Sequence, residues 1–233
     1  MDTENTNSIP PSRGGPLALL LTWFSPAFPT GGFAYSQGLE SAVRDGLVHD
    51  QESLTMWLSD LISIGPAWND SVLMAEAWRQ AGIGANRETL SDLADMAEAF
   101  AGSAPRHTES LGQGTAFLKA ARAWPHEILD RLPDACPLPI AAGAAAGCHG
   151  VALADTVVAF LNALTTQNIQ AALRLFPLGQ ERGVAVHAGL HPLINQAADA
   201  VSRSGLDDLG SATFRVEIAA ARHETLGSRI FRS

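Results

Sequence analysis

The sequence has few of the residues and motifs on which common catalytic and phosphate-binding sites depend. Its 233 residues include a single lysine, Lys119, and Leu118 precedes it. A phosphate-binding loop of the form G-x-x-x-x-G-K-[ST] is therefore absent. The sequence also lacks a G-x-S-x-G nucleophile motif and a complete H-E-x-x-H zinc motif. A hydrolase whose Ser–His–Asp triad is dispersed along the chain leaves no such motif, and it stays open as an alternative.

Cysteine, charge and long apolar runs are scarce as well. Only Cys136 and Cys148 are present, outside any C-x-x-C pair, and charged residues make up 17% of the chain. Two cysteines cannot form a disulfide framework, which favours a reducing compartment. No apolar run approaches the roughly 20 residues that span a bilayer, and no secretory segment is recognised. With a net charge of −9, we expect a soluble cytoplasmic protein that binds neither membranes nor nucleic acid.

What the sequence does contain is helical periodicity and 46% hydrophobic residues. Apolar side chains recur at helical spacing from Leu54 to Ile62, and the most apolar segment runs from Val151 to Phe176. The alternation typical of strands is missing. The pattern predicts an all-α fold, a single-domain helical bundle of about eight to ten helices. We expect the helix that begins near Glu181 to bend or restart at Pro192, because proline removes a backbone donor.

Three regions follow from composition and charge. Residues 1–15 are polar and rich in Pro, Ser, Asn and Gly, so we expect a disordered N-terminal tail. Residues 16–222 are assigned to the helical domain and residues 223–233 to a C-terminal tail. Residues 215–233 carry four arginines against two glutamates, a net charge of +2 on a chain whose remainder carries −11. A basic end on an acidic body suggests a separate role for that end.

Two clusters offer weak candidates for a metal site. Cys148 and His149, with Cys136, supply soft ligands, but a run of small residues around Cys148 makes a packed, buried cysteine the commoner explanation. His187 and His191 are four residues apart, which on a straight helix puts both on one face. Pro192 disfavours helical geometry at the residue before it. We therefore assign no metal site from the sequence.

The segment between residues 25 and 40 carries the most specific motif. It reads SPAFPTGGFAYSQGLE, in which prolines and glycines beside aromatic residues predict a rigid, tightly turned approach to a helix. This string resembles the opening signature of the UreF family of urease accessory proteins, roughly S-P-x-x-P-x-G-x-F-x-x-S-x-G-L-E. The residues of this structural signature are Pro26, Pro29, Gly31, Phe33, Tyr35, Ser36 and Gly38.

Three further segments extend the resemblance over about residues 17–233. A middle segment matches through Arg106, Ser110, Gln113 and Gly114, and RLFPLGQERG matches through Arg174, Leu175, Gly179, Gln180 and Gly183. The chain ends as family members end, in H-E-x-x-x-S-R-[LI]-F-R-S. It departs from the family at Gly227, where an aromatic residue is common, and at Ile230, which replaces a leucine. The loss of a large apolar side chain at Gly227 is expected to weaken docking of the tail.

The resemblance implies an all-helical, dimeric and non-catalytic accessory protein of urease maturation. UreF proteins work with the accessory protein UreD, also called UreH, and with the GTPase UreG to load nickel into apo-urease. By this resemblance the chain bridges UreD and UreG, forms a homodimer, holds no cofactor tightly and handles nickel transiently. A stand-alone nickel-binding protein stays open as an alternative, and it predicts tight, stoichiometric metal binding by the isolated chain.

The C-terminal tail is the predicted binding site for UreD. Arginine side chains offer several planar donors to carboxylates and carbonyls, and an aromatic residue among arginines is typical of interface hot spots. Glu40 and Gln180 are further candidates for partner contacts, although a structural role explains each of them equally well. The candidate partner-binding residues are Glu40, Gln180, Arg222, His223, Glu224, Arg229, Ile230, Phe231, Arg232 and Ser233.

Overall fold

The computed structural model describes residues 14–232 as an all-helical chain, so that residues 1–13 and Ser233 lie outside the described range. The α-helices are α1 (Gly14–Trp23), α2 (Leu39–Arg44), α3 (Gln51–Ile64), α4 (Pro66–Gly82), α5 (Arg87–Ala99), α6 (Ala104–Ala121), α7 (Glu127–Arg131), α8 (Leu138–Cys148), α9 (Leu153–Leu175), α10 (Gln180–Arg203) and α11 (Phe214–Arg222). Short 3-10 helices occupy Gly32–Ala34, Leu206–Asp208 and His223–Thr225.

The predicted all-α, single-domain fold is confirmed, and no strand occurs among residues 14–232. Two of the helices, α2 and α7, are only six and five residues long. The longer helices agree in number with the predicted eight to ten. The tail expected over residues 1–15 falls almost entirely outside the described range, and α1 already begins at Gly14. Within the described range, no helix combines the length and apolar character that a membrane span needs.

Local sequence signals explain the burial of α3 and the starts of α4 and α5. The apolar stripe of α3 is buried, with Leu54, Leu58 and Ile62 fully inaccessible to solvent. Pro66 occupies the first turn of α4, where its missing N–H costs nothing. Asn86 caps α5, because its side chain accepts a hydrogen bond of 2.9 Å from the backbone N–H of Thr89.

The prediction that α10 bends or restarts at Pro192 was wrong as to a restart, because the helix is continuous there, and the bend stays a prediction. The helix runs without interruption from Gln180 to Arg203, with Pro192 inside it. Both Pro192 and Ala188, one turn earlier, lie on the exposed side of the helix. Proline lacks the N–H that would bond to the Ala188 carbonyl, and at this exposed position water can supply the missing donor. His187 and His191 consequently share one continuous helix.

The centre of the bundle is α8, which the sequence did not reveal as a helix. Nearly all of its residues are buried, so it has no polar face and no helical periodicity. Gly143 and Gly147 lie directly against α4, where an added Cβ would collide with the backbone carbonyls of Met74 and Trp78. The two glycines allow α8 and α4 to pack backbone to backbone at the core of the domain.

The two ends of the described chain meet on one side of this core. Helix α11 packs against α2 and α6, and the Gly32–Ala34 turn packs against α9. The proline- and glycine-rich loop that precedes α2 is thereby brought next to the C-terminal tail. This arrangement positions the candidate site.

Candidate partner-binding site

Glu40 is the centre of the contact between the loop and the tail. It lies in the first turn of α2, and its side chain is 1% exposed. Gly38, which precedes the helix, has a φ of 80°, and an added Cβ would lie 2.8 Å from the backbone nitrogen of Ala220. Only glycine satisfies both the left-handed backbone and this close approach to α11. The Gly38 position in the motif therefore sets where the Glu40 carboxylate lies.

The Glu40 carboxylate accepts hydrogen bonds from the tail. The backbone N–H of Ile230 lies 2.9 Å from Oε1, and that of Phe231 lies 3.0 Å from Oε2. Nε2 of the fully buried His223 lies 3.2 Å from Oε2. Arg44 pairs with Glu40 at 3.4 Å and also donates to the Ser228 carbonyl. One buried carboxylate thus holds three separate positions of the tail.

These donors change the acidity of Glu40. Burial alone would raise the pKa of the carboxyl group. The backbone N–H groups of Ile230 and Phe231, followed by His223, outweigh burial and bring the pKa of Glu40 below its usual value. Hydrogen bonds to the ionised form favour that form. The tail therefore binds the charged carboxylate.

Phe231 is the apolar anchor of the tail. It is 4% exposed, and the guanidinium carbon of Arg174 lies 4.3 Å from the centre of its ring. Arg174 also donates a hydrogen bond of 3.2 Å to the carbonyl of Phe33. The backbone N–H of Arg232 donates to the carbonyl of Ala34 at 2.7 Å. A cation over an aromatic face adds attraction to the burial of the ring, so Arg174 fixes both loop and tail.

Gln37 fixes the middle of the loop. Its φ of 53° puts a non-glycine residue in the left-handed region, which carries local strain. Its amide donates to Glu109 Oε1 at 3.2 Å, and its carbonyl accepts from Asn168 at 3.0 Å. These contacts with α6 and α9 hold the strained residue in position. The sequence had assigned Gln37 no role.

We call residues 33–40, His223 and residues 228–232 together the tail–loop junction. Three of the candidate partner residues, Glu40, His223 and Phe231, lie inside it, where they hold the tail in this conformation instead of facing outwards. Exposed at the surface of the junction are Phe33, Arg229, Ile230 and Arg232, with Phe33 at 79% and Ile230 at 55% exposure. Partner contact by these exposed residues stays a prediction.

The remaining candidate residues are exposed where the structure describes them. Arg222 is exposed and pairs with Asp45 at 2.9 Å, and Glu224 is exposed beside it. Gln180 is exposed at the first position of α10. Gly227 is exposed, and an added Cβ would meet nothing within 4 Å. Ser233 lies outside the described residues.

The other residues of the loop motif divide between the surface and the interior. Pro26 and Pro29 are exposed, whereas Tyr35 and Ser36 are buried. Gly31 has a φ of 74°, so the loop needs a residue that tolerates a left-handed turn there. The motif is therefore largely structural, and Phe33 is its one large, strongly exposed apolar side chain.

A cavity of about 400 Å³ lies beneath the loop. Phe28, Phe117 and Phe160 form part of its apolar wall, and Phe231 of the tail also borders it. The middle motif contributes Arg106, Ser110 and Gln113 to the lining. All four segments of the family resemblance, widely separated in sequence, therefore gather around the loop, the cavity and the tail.

Arg106 lies between two carboxylates at the edge of this cavity. It contacts Asp70 directly, and its Nη1 lies 3.6 Å from Glu109 Oε1. Burial alone would lower the pKa of the guanidinium, but Asp70 and Glu109 raise it above its usual value. Arg106 therefore keeps its charge and ties α6 to α4.

The weak metal candidates of α8 are poorly suited to binding. Burial raises the pKa of Cys148 to about 12, which disfavours the thiolate that a metal needs. Nδ1 of His149 lies 2.8 Å from the Ala145 carbonyl, and the ring packs edge-on against Trp23. Burial also raises the pKa of Cys136 to about 12. Among residues 14–232, no group of three or more His, Cys, Asp or Glu side chains has the geometry of a metal site.

Comparison with known proteins agrees with the motif assignment. The UreF family model matches residues 48–191. The urease accessory protein UreF of Mesorhizobium japonicum is 51% identical over 217 residues, which cover 93% of this chain and 96% of the relative. The corresponding protein of Brucella ovis is 51% identical over 93% of this chain and 94% of its own length. That of Rhizobium leguminosarum bv. viciae is 50% identical, with coverages of 93% and 96%.

Proposed function

Because this chain belongs to the UreF family of urease accessory proteins, we propose that it acts as a non-catalytic adaptor in urease maturation. It binds UreD (UreH) and the GTPase UreG and so supports the insertion of nickel into apo-urease. In this proposal it works in the cytoplasm as a homodimer, and nickel is a transient cargo of the complex. Its close relatives are themselves named accessory proteins.

The observation that carries this proposal is the tail–loop junction. Glu40 and Arg174 bind the tail of the same chain and hold it in place. The exposed Phe33, Ile230 and Arg229 are thereby presented together from a fixed backbone. A partner that binds this surface does not have to order the tail first, which removes part of the entropic cost of association. Aromatic, aliphatic and arginine side chains are suited to such a contact.

The absence of a phosphate-binding motif suggests which of the two proteins, this chain or UreG, binds GTP. The chain has one lysine and no phosphate-binding loop of the Walker type. GTP binding in the complex is therefore assigned to UreG, and this chain contributes the helical scaffold. We assign the binding of UreD to the exposed, basic end of the junction, because Arg229 and Arg232 flank the apolar residues there.

Co-expression with UreD tests the surface assignment. The double variant Ile230→Ala/Arg232→Ala removes exposed side chains while leaving the backbone donors to Glu40 in place. We expect at least a tenfold loss of co-purified UreD, since removing central interface residues costs more than about 1–2 kcal/mol each. The matched control is Ile83→Ala, which truncates a 79% exposed isoleucine at the end of α4. Wild-type yield of UreD with the double variant would contradict the assignment.

A truncated chain provides a second test. A chain ending at Ala221 lacks His223 and the whole tail, and it leaves the Glu40 carboxylate without its main donors. We expect it to lose UreD, with helix content by circular dichroism close to that of the full chain. Turnover of GTP or of an ester by the purified full chain would instead favour an enzyme.

A further inference from the structure

A pair of histidines on α10 lies outside the tail–loop junction. His187 and His191 are one helical turn apart, and Nδ1 of His187 lies 3.2 Å from Nε2 of His191. The ring centres are 5.0 Å apart. This proximity depends on the continuity of α10 through Pro192. Side chains four residues apart face each other only on an unbroken helix.

Thr166 on α9 is positioned to fix which nitrogen of His187 carries the proton. The Thr166 hydroxyl donates a hydrogen bond of 2.8 Å to the carbonyl of Asn162. Its oxygen lies 3.2 Å from Nε2 of His187 and is then available to accept a hydrogen bond from that nitrogen. With the proton on Nε2, the lone pair of Nδ1 is directed to the side of His191. Metal-binding histidines commonly have their second nitrogen fixed in this way.

We propose that His187 Nδ1 and His191 Nε2 form a binding site for a divalent first-row transition-metal ion, with Thr166 as the positioning residue for His187. Imidazole nitrogen suits Cu²⁺, Ni²⁺ and Zn²⁺. At a metal–nitrogen distance of about 2.1 Å, the 3.2 Å separation of the nitrogens corresponds to an N–metal–N angle of roughly 100°. That angle lies between those of octahedral and tetrahedral coordination. Two protein ligands leave the other positions to water.

The environment of the pair favours reversible binding. His191 is exposed, whereas His187 is half-buried against α9. An ion at this site is reached from solvent and is held on one side by a fixed imidazole. The site shares no residue with the tail–loop junction. Its presence or absence is therefore separate from the proposed binding of UreD, which is tested by co-purification.

Isothermal titration of the full chain, without a histidine tag, with Cu²⁺ and Ni²⁺ tests the proposal. We expect one ion per chain, with tighter binding of Cu²⁺ as ligand-field preferences require. His191→Ala is expected to abolish this binding without affecting the fold, because the side chain is exposed. The matched control is His49→Ala, which removes an exposed histidine beside Asp50. The control is expected to bind as the wild type does.

Thr166→Val tests the positioning role. Loss of the hydroxyl leaves both imidazoles in place but no longer fixes the tautomer of His187. We expect metal affinity to fall by about tenfold or more, as is typical for the partners of metal-binding histidines. Electron paramagnetic resonance of the Cu²⁺ complex should show coupling to two nitrogens in the wild type. Unchanged binding in His191→Ala, or a loss of equal size in His49→Ala, would overturn the site, and unchanged affinity in Thr166→Val would overturn the role of Thr166.

Discussion

Phe231 donates its backbone N–H to Glu40 across 191 positions of sequence, with a distance of 3.0 Å between nitrogen and Oε2. Together with the bond from Ile230, it makes a buried carboxylate the anchor of the C-terminal tail.

Replacement of Glu40 by Gln is expected to release the tail. The amide keeps one acceptor, but its NH₂ group then faces a backbone N–H donor of Ile230 or Phe231. Hydrogen bonds to a charged group contribute about 1.5–3 kcal/mol each, so we expect the junction to lose about 2 kcal/mol. Hydrogen exchange should accelerate about 30-fold at these two amides. The exposed Glu224→Gln is the control, and equal protection in both variants would contradict the anchor role.

The contribution of Glu40 is expected to depend on pH. Its pKa in the folded chain lies below its usual value, against the effect of burial and because of the tail N–H donors. The stabilisation is therefore complete above the usual pKa of a glutamate and is lost as the pH falls through the lower, folded value. Denaturant unfolding of the wild type and Glu40→Gln over a pH series measures this. The difference in free energy of unfolding should shrink in acid, and a constant difference would refute the linkage.

Arg174→Ala is expected to loosen the tail through Phe231. The variant removes a cation that lies 4.3 Å from the ring centre and the donor to the Phe33 carbonyl. A contact of this type contributes about 0.5–1 kcal/mol, so tail protection should fall severalfold while the bundle stays folded. Arg215→Ala, in the exposed part of α11, is the control. Proteolysis at Arg229 reports the opening, and no difference between the two variants would exclude a role for Arg174.

Two glycine substitutions should act in opposite directions on the bundle. Gly143→Ala places a methyl group against the Met74 carbonyl, and overpacking of this kind costs about 1–3 kcal/mol. Gly189→Ala, on the exposed side of α10, meets nothing within 4 Å. Alanine is favoured over glycine in a helix by about 0.8–1 kcal/mol, so this variant should be more stable. Thermal unfolding checks both signs, and a stabilising Gly143→Ala would contradict the close packing of α8 on α4.

Gly227→Phe is expected to strengthen partner binding without affecting the fold. The position is exposed, and a Cβ there meets nothing within 4 Å. An aromatic side chain would therefore add to the exposed apolar surface near Ile230 instead of packing on the chain itself. We expect an unchanged melting temperature and more co-purified UreD. A gain in thermal stability with no gain in UreD would show that the position serves the chain's own packing.

The fold was largely predictable because helical periodicity is a local signal. Leu54, Leu58 and Ile62 form one buried stripe, as their spacing requires. Helix α8 escaped detection because it is buried on all sides, which removes the contrast between faces. Pro192 predicted a bend or a restart, but the helix does not restart there, and the Ala188 carbonyl one turn earlier lies on the exposed side of α10.

Most residues of the tail–loop junction were recognised from the sequence, but Gln37 was missed and the orientation of the others was not foreseen. The tail was recognised from its charge and motif, and Glu40 from its place in the loop motif. Glu40 binds the tail of its own chain, at a residue 190 positions away. No local sequence pattern encodes such a contact. Arg174 belonged to a recognised segment, yet its place over Phe231 depends on how α9 packs against the tail.

The separation of Glu40 from the tail also orders events during synthesis. A ribosome makes Glu40 long before Ile230, which follows 190 residues later, and domains begin to fold while the chain is still growing. The bundle therefore has to form around an uncovered carboxylate until residues 223–232 have been made. A chain that stops before His223 lacks the three donors to Glu40 and leaves this buried acid without them.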